Sequence, residues 1–305
     1  MAVITQFFWL TGGFCLGLMS MVMYNPRDAS HCVSMGHHAT RAIEDSSTVL
    51  QFGNPGPIHD LIQRDAYVTS YNRRDRIPDW VGEHLTADSI IKGSGVDRDR
   101  SNFQEDTAIP SLYRALLSDY KLSGYDRGHM APAADGVATQ DAMDQTFYLT
   151  NMCPQVGAGF NRQYWAYLEA FCRTLTASYA DVYVYTGPLF LPQLNNGTSS
   201  ASVTKRKVKR SGPAAYTMTY SVLGDVPNLS VPTHFYKVLL IPTSDTYALA
   251  AFVLPNKAIA TSTALTSFQV RLEDIEKASG LNFFDKLDRT KFTDLCKSTT
   301  CAVKA

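Results

Sequence analysis

Ser123-Gly124-Tyr125-Asp126-Arg127-Gly128-His129-Met130 is the stretch around which the chain is organised. It sets a carboxylate, a guanidinium and an imidazole within four positions, with a glycine on each side of the Asp126-Arg127 pair. A histidine can accept a proton near neutral pH, and an arginine can hold a phosphate through two parallel hydrogen bonds. Glycine permits a tight turn or a close backbone approach to a ligand. The set suits attack on a phosphodiester. Taken alone, Asp126 and Arg127 also fit a surface ion pair and His129 a structural histidine, so the segment from Asn151 to Glu169 has to be read with them.

Asn161 to Cys172 has helical apolar spacing, with Trp165, Leu168, Phe171, Cys172 and Leu175 on one face. Asn161, Trp165 and Glu169 fall at i, i+4 and i+8, a slowly drifting stripe in which an amide and a carboxylate flank a tryptophan. In a regular helix Asn161 and Glu169 stand about 12 Å apart along the axis. Direct ligands of one small cation must bring their oxygens to about 2.1 Å from it. One of the two would therefore bind an ion directly and the other through water. Oxygen donors with several retained waters suit magnesium rather than zinc.

Upstream, Ala66–Tyr71 reads as a strand, Asn72–Arg76 as a basic turn, and Trp80–Leu85 as a return to the core. Arg98 and Arg100 precede Phe103; they fit either solvated loops beside aspartates or a cleft that holds backbone phosphates. Thr146–Thr150 reads as a short strand ending at Asn151, and Val182–Thr186, Tyr236–Ile241 and Ala248–Leu254 as further strands. Gln193–Pro213 is rich in Ser, Asn and Gly and contains Lys205-Arg206-Lys207-Val208-Lys209-Arg210. That run is consistent with an exposed loop, a nucleic-acid contact or a targeting signal.

At 305 residues, with 45% hydrophobic and 18% charged residues, the chain can bury a substantial core. Its formal net charge is zero, so any nucleic-acid contact must come from a local patch rather than from overall charge. Six cysteines without Cys-x-x-Cys spacing are too sparse for a disulfide scaffold. Val3 to Tyr24 carries no charge and is long enough to cross a bilayer as a helix. The first charge, Arg27, follows that run, which favours an uncleaved N-terminal anchor over a removed secretory signal. The expected organisation is an anchor or targeting segment at 1–24, a linker at 25–50 and one folded domain at 51–305. His31, Cys32, His37 and His38 within the linker fit incidental residues of a tether better than a metal site.

With these residues in hand, the sequence resembles the DNA/RNA non-specific endonucleases with a ββα-metal active site, in particular the mitochondrial endonuclease G type and its fungal counterparts. The resemblance runs from about Phe52 to Cys301. Its landmarks are Gly56-Pro57-Ile58-His59-Asp60, Ser70-Tyr71-Asn72-Arg73, Asp126-Arg127-Gly128-His129, Asn151-Met152-Cys153-Pro154-Gln155, the Asn161/Glu169 helix and Thr186-Gly187-Pro188.

The resemblance implies an α/β (α+β) fold, a central antiparallel β-sheet flanked by helices, with a ββα-metal element at the site. It implies His129 as general base, Asn161 as the one direct protein ligand of Mg2+ (Mn2+ as a substitute), and Glu169 holding a metal-bound water. Arg127 and Arg98 would hold the scissile phosphate, Asn151 would support the site by hydrogen bonding, and Asp126 would orient the loop. It further implies DNA and RNA as substrates, 5′-phosphate and 3′-hydroxyl products, a homodimer, and a mitochondrial inner-membrane enzyme facing the intermembrane space. The alternatives are a catalytically inactive nucleic-acid-binding protein on the same fold and a secreted enzyme; a Cys296–Cys301 disulfide fits secretion, and the intermembrane space permits one too.

Overall fold

The computed structural model describes residues 48–56, 60–194 and 215–304. Val3–Tyr24, the histidine cluster and the Lys205–Arg210 run lie outside the described residues. Among the described residues, no helix is long and apolar enough to cross a membrane.

The chain builds an α/β unit on one large sheet. Strands β1 (Asp60–Gln63), β2 (Val68–Asn72) and β3 (Ile77–Leu85) form a meander. The strands β4 (Tyr125–His129) and β5 (Met152–Val156) pair with each other outside the sheet. The sheet resumes with β6 (Val182–Leu189), β7 (His234–Pro242), β8 (Tyr247–Pro255), β9 (Gln269–Val270) and β10 (Phe292–Asp294). The order is β1-β2-β3-β6-β7-β8-β9, all antiparallel, with β10 added in parallel to β8. The strands expected from β-branched and aromatic runs at Ala66, Val182, Tyr236 and Ala248 all lie in this sheet, and Trp80–Leu85, read only as a return to the core, is part of its third strand.

Side chains alternate across a strand, and here both faces are covered. Val182 and Val184 face one core with Leu239 and Ile241, whereas Tyr183 and Tyr185 face a second core with Val238 and Leu240. Helix α1 (Gln140–Gln145) lies in the connection between β4 and β5, α2 (Ala166–Leu175) covers the first face, and α3 (Leu272–Ser279) covers the second. The predicted apolar face of α2 is buried as expected: Trp165, Leu168, Phe171, Cys172 and Leu175 join the first core.

Two local readings change. Thr146–Thr150 is not a strand: Thr146 caps α1, and Leu149–Asn151 forms a 3-10 turn before β5 starts at Met152. A short apolar run carries no period of its own, and the Asn151 amide takes the Thr146 carbonyl as an acceptor at 2.8 Å, folding the run back on itself. The folded unit also begins before residue 51. Val49 and Leu50, at the end of the expected linker, are buried in the second core, and the Tyr185 hydroxyl donates to Val49 O at 2.7 Å. At the other end, Cys296 and Cys301 form a disulfide, a short closed loop that stabilises the fold by about 2 kcal/mol on the chain-entropy account. Cys153 and Cys172 are buried free thiols.

Candidate active site

The β4–β5 pair runs straight into a helical segment, making a β-β-α element packed on the first face of the sheet. Arg127 and His129, two apart on β4, project to the same side and line a cleft of about 610 Å³. Asp126, Asn161, Arg162, Ala166, Glu169 and Arg98 line it as well. Gly128 between them is a close-approach position: a Cβ there would lie 1.9 Å from Gln155 Oε1, whose side chain is buried beneath the strand.

The helical segment is not regular. Ala158 and Gly159 (φ 80) are non-helical and kink the chain, and the turns from there to Trp165 are π-helical. Wider π turns bond i to i+5, so the residue that follows Asn161 along the cleft is Ala166, not Trp165. The expected stripe of Asn161, Trp165 and Glu169 is therefore broken. Trp165 turns into the core against Phe160 and Phe235, while Asn161 and Glu169 both keep to the cleft.

Each polar group at the cleft has a visible cause for its orientation. Asn161 Nδ2 donates to Asp126 Oδ2 at 2.9 Å, which fixes the amide flip and leaves Asn161 Oδ1 as a free acceptor. Arg162 donates to both Asp126 oxygens, at 2.8 and 2.6 Å. Burial opposes the Asp126 charge, but the Arg162 and Asn161 hydrogen bonds outweigh it and hold its carboxyl below the usual range. Arg127 stacks over Phe103 at 4.3 Å and Arg98 over Phe147 at 5.4 Å, while the two rings meet edge to face at 5.0 Å. The His129 ring sits against both, 5.6 Å from Phe103 and 4.9 Å from Phe147. This enclosure, with the Arg98 charge, pushes the imidazole down to about 3. Of the two arginines left open by sequence, Arg98 lines the cleft and Arg100 turns to the Gly95 carbonyl.

Besides Tyr120 Oη, three buried polar atoms here have no protein partner: His129 Nε2, Arg127 Nε and Glu169 Oε1. Burial pushes Glu169 up to about 7, with Lys237 opposing. A buried polar atom without a partner is costly, and three at one cleft mark a place prepared for other groups. The donors available for a cation are the Asn161 amide oxygen and the Glu169 carboxylate. This set of oxygens fits a hard ion that keeps most of its waters, and among the described residues no cluster of three His, Cys, Asp or Glu offers a fuller cage.

Asn151 does not line the cleft. It is fully buried and accepts from Ala131 N at 2.9 Å while donating to Ala131 O and Thr146 O, both at 2.8 Å. It is a clamp on the chain just past His129. Asn151→Ala would strand these buried backbone groups. We expect it to cost about 3 kcal/mol and to lower Tm by about 6–12 °C in thermal unfolding; an unchanged Tm would remove this role.

Beneath the cleft lies a set of charges that the sequence reading missed. Lys237 on β7, Glu83 on β3 and Asp135 are all buried. Lys237 Nζ donates to Thr186 Oγ1 at 2.7 Å and lies 5.0 Å over the Trp165 ring. Arg173 on α2 pairs with Asp135 at 2.8 Å. Burial first, then the Asp135 charge, pushes Glu83 well above the carboxylate range. Burial also pushes Asp135 up, against the opposing Arg173 charge and hydrogen bond. The available signal was a lysine and a glutamate inside otherwise apolar strands.

The sequence profile described as DNA/RNA non-specific endonuclease matches residues 45–290. A protein of Syncephalastrum racemosum named Nuclease is 55% identical over 99% of this chain and 94% of its own. Nuclease C1 of Cunninghamella echinulata is 59% identical over 86% of this chain and 97% of its own, and the Mitochondrial nuclease of Saccharomyces cerevisiae is 44% identical over 85% and 76%. A chain in the crystal structure of the EndoG/EndoGI complex superposes with a TM-score of 0.73 at 41% identity, over 81% of this chain and 94% of that one.

Proposed function

The chain belongs to the DNA/RNA non-specific endonuclease family, and from that premise we propose that it is a magnesium-dependent, sugar-non-specific endonuclease that cuts phosphodiesters to 5′-phosphate and 3′-hydroxyl ends. The observation that carries the reading is the convergence of His129, Arg127, Asn161 and Glu169 on one cleft, three of them with unpartnered buried atoms.

In this reading the neutral His129 imidazole takes a proton from water, and the water oxygen attacks phosphorus in line with the 3′ oxygen. The P–O3′ bond breaks with its electron pair on the 3′ oxygen, which is then protonated. Arg127 and Arg98, held on Phe103 and Phe147, grip the phosphate and offset its developing charge. Asn161 Oδ1, aimed by Asp126, and Glu169 would hold Mg2+, the carboxylate through a water. When bound, the ion offsets charge on a phosphate oxygen and on the departing oxygen, and Mn2+ would serve similarly. A single ion suffices because His129 activates the water.

The test is conversion of supercoiled plasmid by the purified chain in Mg2+ and in excess EDTA. Nicking only with the metal is expected; duplex binding without cleavage in Mg2+ would establish the binding-protein alternative instead. A pH series at saturating Mg2+ adds a second check. The base works unprotonated, and enclosure lowers its pKa. The acid limb of kcat/KM should therefore lie below pH ~6.5, the ordinary imidazole value. A limb above that value that stays fixed as Mg2+ is raised would exclude an enclosed His129 as the base; one that moves down with Mg2+ would belong to Glu169, pushed up to about 7 by burial.

A mitochondrial location is supported by relatives so named. Attachment to the inner membrane, facing the intermembrane space, rests on the uncharged Val3–Tyr24 run; N-terminal sequencing of the mature protein separates it from secretion after cleavage. A homodimer is proposed from the resemblance alone, and light scattering in solution would test it.

A further inference from the structure

The cleft extends past the reacting groups. Beyond Arg127 and His129 its wall continues through Tyr120, Lys121, Leu122 and Tyr125. Leu122 stands at the edge of that wall, 97% exposed. A single exposed leucine is ordinary, but this one is also held at φ 57, in the left-handed region that a bulky side chain disfavours. The turn that imposes this is well tied. Lys121 N donates to Ser118 O, Ser123 N and Oγ both donate to Tyr120 O, and Tyr125 N donates to Ser123 Oγ. Tyr120 is itself buried, so the turn is anchored in the core and leads directly into β4. The fold thus spends backbone strain to display a bare aliphatic side chain a few residues from the arginine of the site, with Lys121 and Arg162 at the same cleft.

We infer that Leu122 is an apolar wedge that enters the base step beside the phosphate gripped by Arg127, while Lys121 and Arg162 meet the neighbouring backbone phosphates. The inference rests on the nuclease reading of the same cleft. Apolar side chains pushed between bases open or kink a strand without reading base edges, which suits a site that accepts any sequence. Lifting the base step apart would also bring the phosphate between its two nucleotides down towards His129.

Leu122→Gly in the full chain gives a clean test, because glycine adopts φ 57 without strain and the variant should fold at least as stably as wild type. Two readouts are needed: the Kd of a short fluorescent duplex in EDTA, where no turnover occurs, and hydrolysis of bis(4-nitrophenyl) phosphate in Mg2+. Loss of one buried aliphatic contact should raise the duplex Kd about tenfold, with small-ester turnover unchanged and Leu122→Met close to wild type. An unchanged Kd in Leu122→Gly overturns the wedge. Loss of small-ester turnover overturns it too, since the turn would then serve the chemistry. Failure of the nuclease reading looks different: wild type would bind duplex and cut neither substrate in Mg2+.

Discussion

His129→Ala should lower kcat on plasmid DNA by about 10³-fold, within the range a positioned general base contributes, while leaving duplex affinity nearly unchanged. Several features make the effect large. The ring lies in the cleft between Phe103 and Phe147, and its burial keeps it neutral, so nearly every molecule carries the competent base at pH 7. Among the described residues, the cleft lining contains no second histidine to take its place. The variant should fold, because the substitution removes a buried Nε2 that has no partner and leaves the Asn151 clamp on the following residues intact. Quantitative nicking at saturating Mg2+, with thermal unfolding as a control, provides the measurement. Turnover within tenfold of wild type would rule out His129 as the base.

Asn161→Ala is the second large effect expected, about 10³-fold in kcat/KM, which corresponds to several kcal/mol of charge stabilisation from the ion it is proposed to hold. Its amide oxygen is free because Asp126 takes the amide nitrogen. Asp126→Ala should therefore behave differently: the oxygen remains but is no longer aimed. Groups that orient a metal ligand typically contribute 10–100-fold in metal affinity, so activity of this variant should recover as Mg2+ is raised, whereas that of Asn161→Ala should not. Titration calorimetry with Mg2+ or Mn2+ separates the two. Equal metal affinity in Asn161→Ala and wild type would remove Asn161 from the ion.

These contrasts show where the sequence was enough. The central strands follow from runs such as Val182–Thr186, because one residue's alternation decides which core it enters, and that pattern is local. The buried face of α2 follows in the same way from the 3.6-residue period. That the candidate groups would meet was also legible, since Asp126, Arg127 and His129 share one strand, Asn161 and Glu169 share the helical segment after its partner, and all five line one cleft.

Tertiary structure decided the rest. Whether Arg98 or Arg100 reaches the cleft depends on Phe147, which the β4–β5 connection carries under one of them. Trp165 was already on the predicted apolar face, but that Ala166 takes its place beside Asn161 in the cleft follows from a π turn, and an i-to-i+5 bond has no signature in side-chain type. Lys237, Glu83 and Asp135 come from separate segments and meet only when the sheet and α2 close over them. Periodicity records what a residue does with its near neighbours along the chain. Charge balance, ring stacking and the lowered pKa of His129 are properties of distant segments brought into contact, and only the packed fold supplies them.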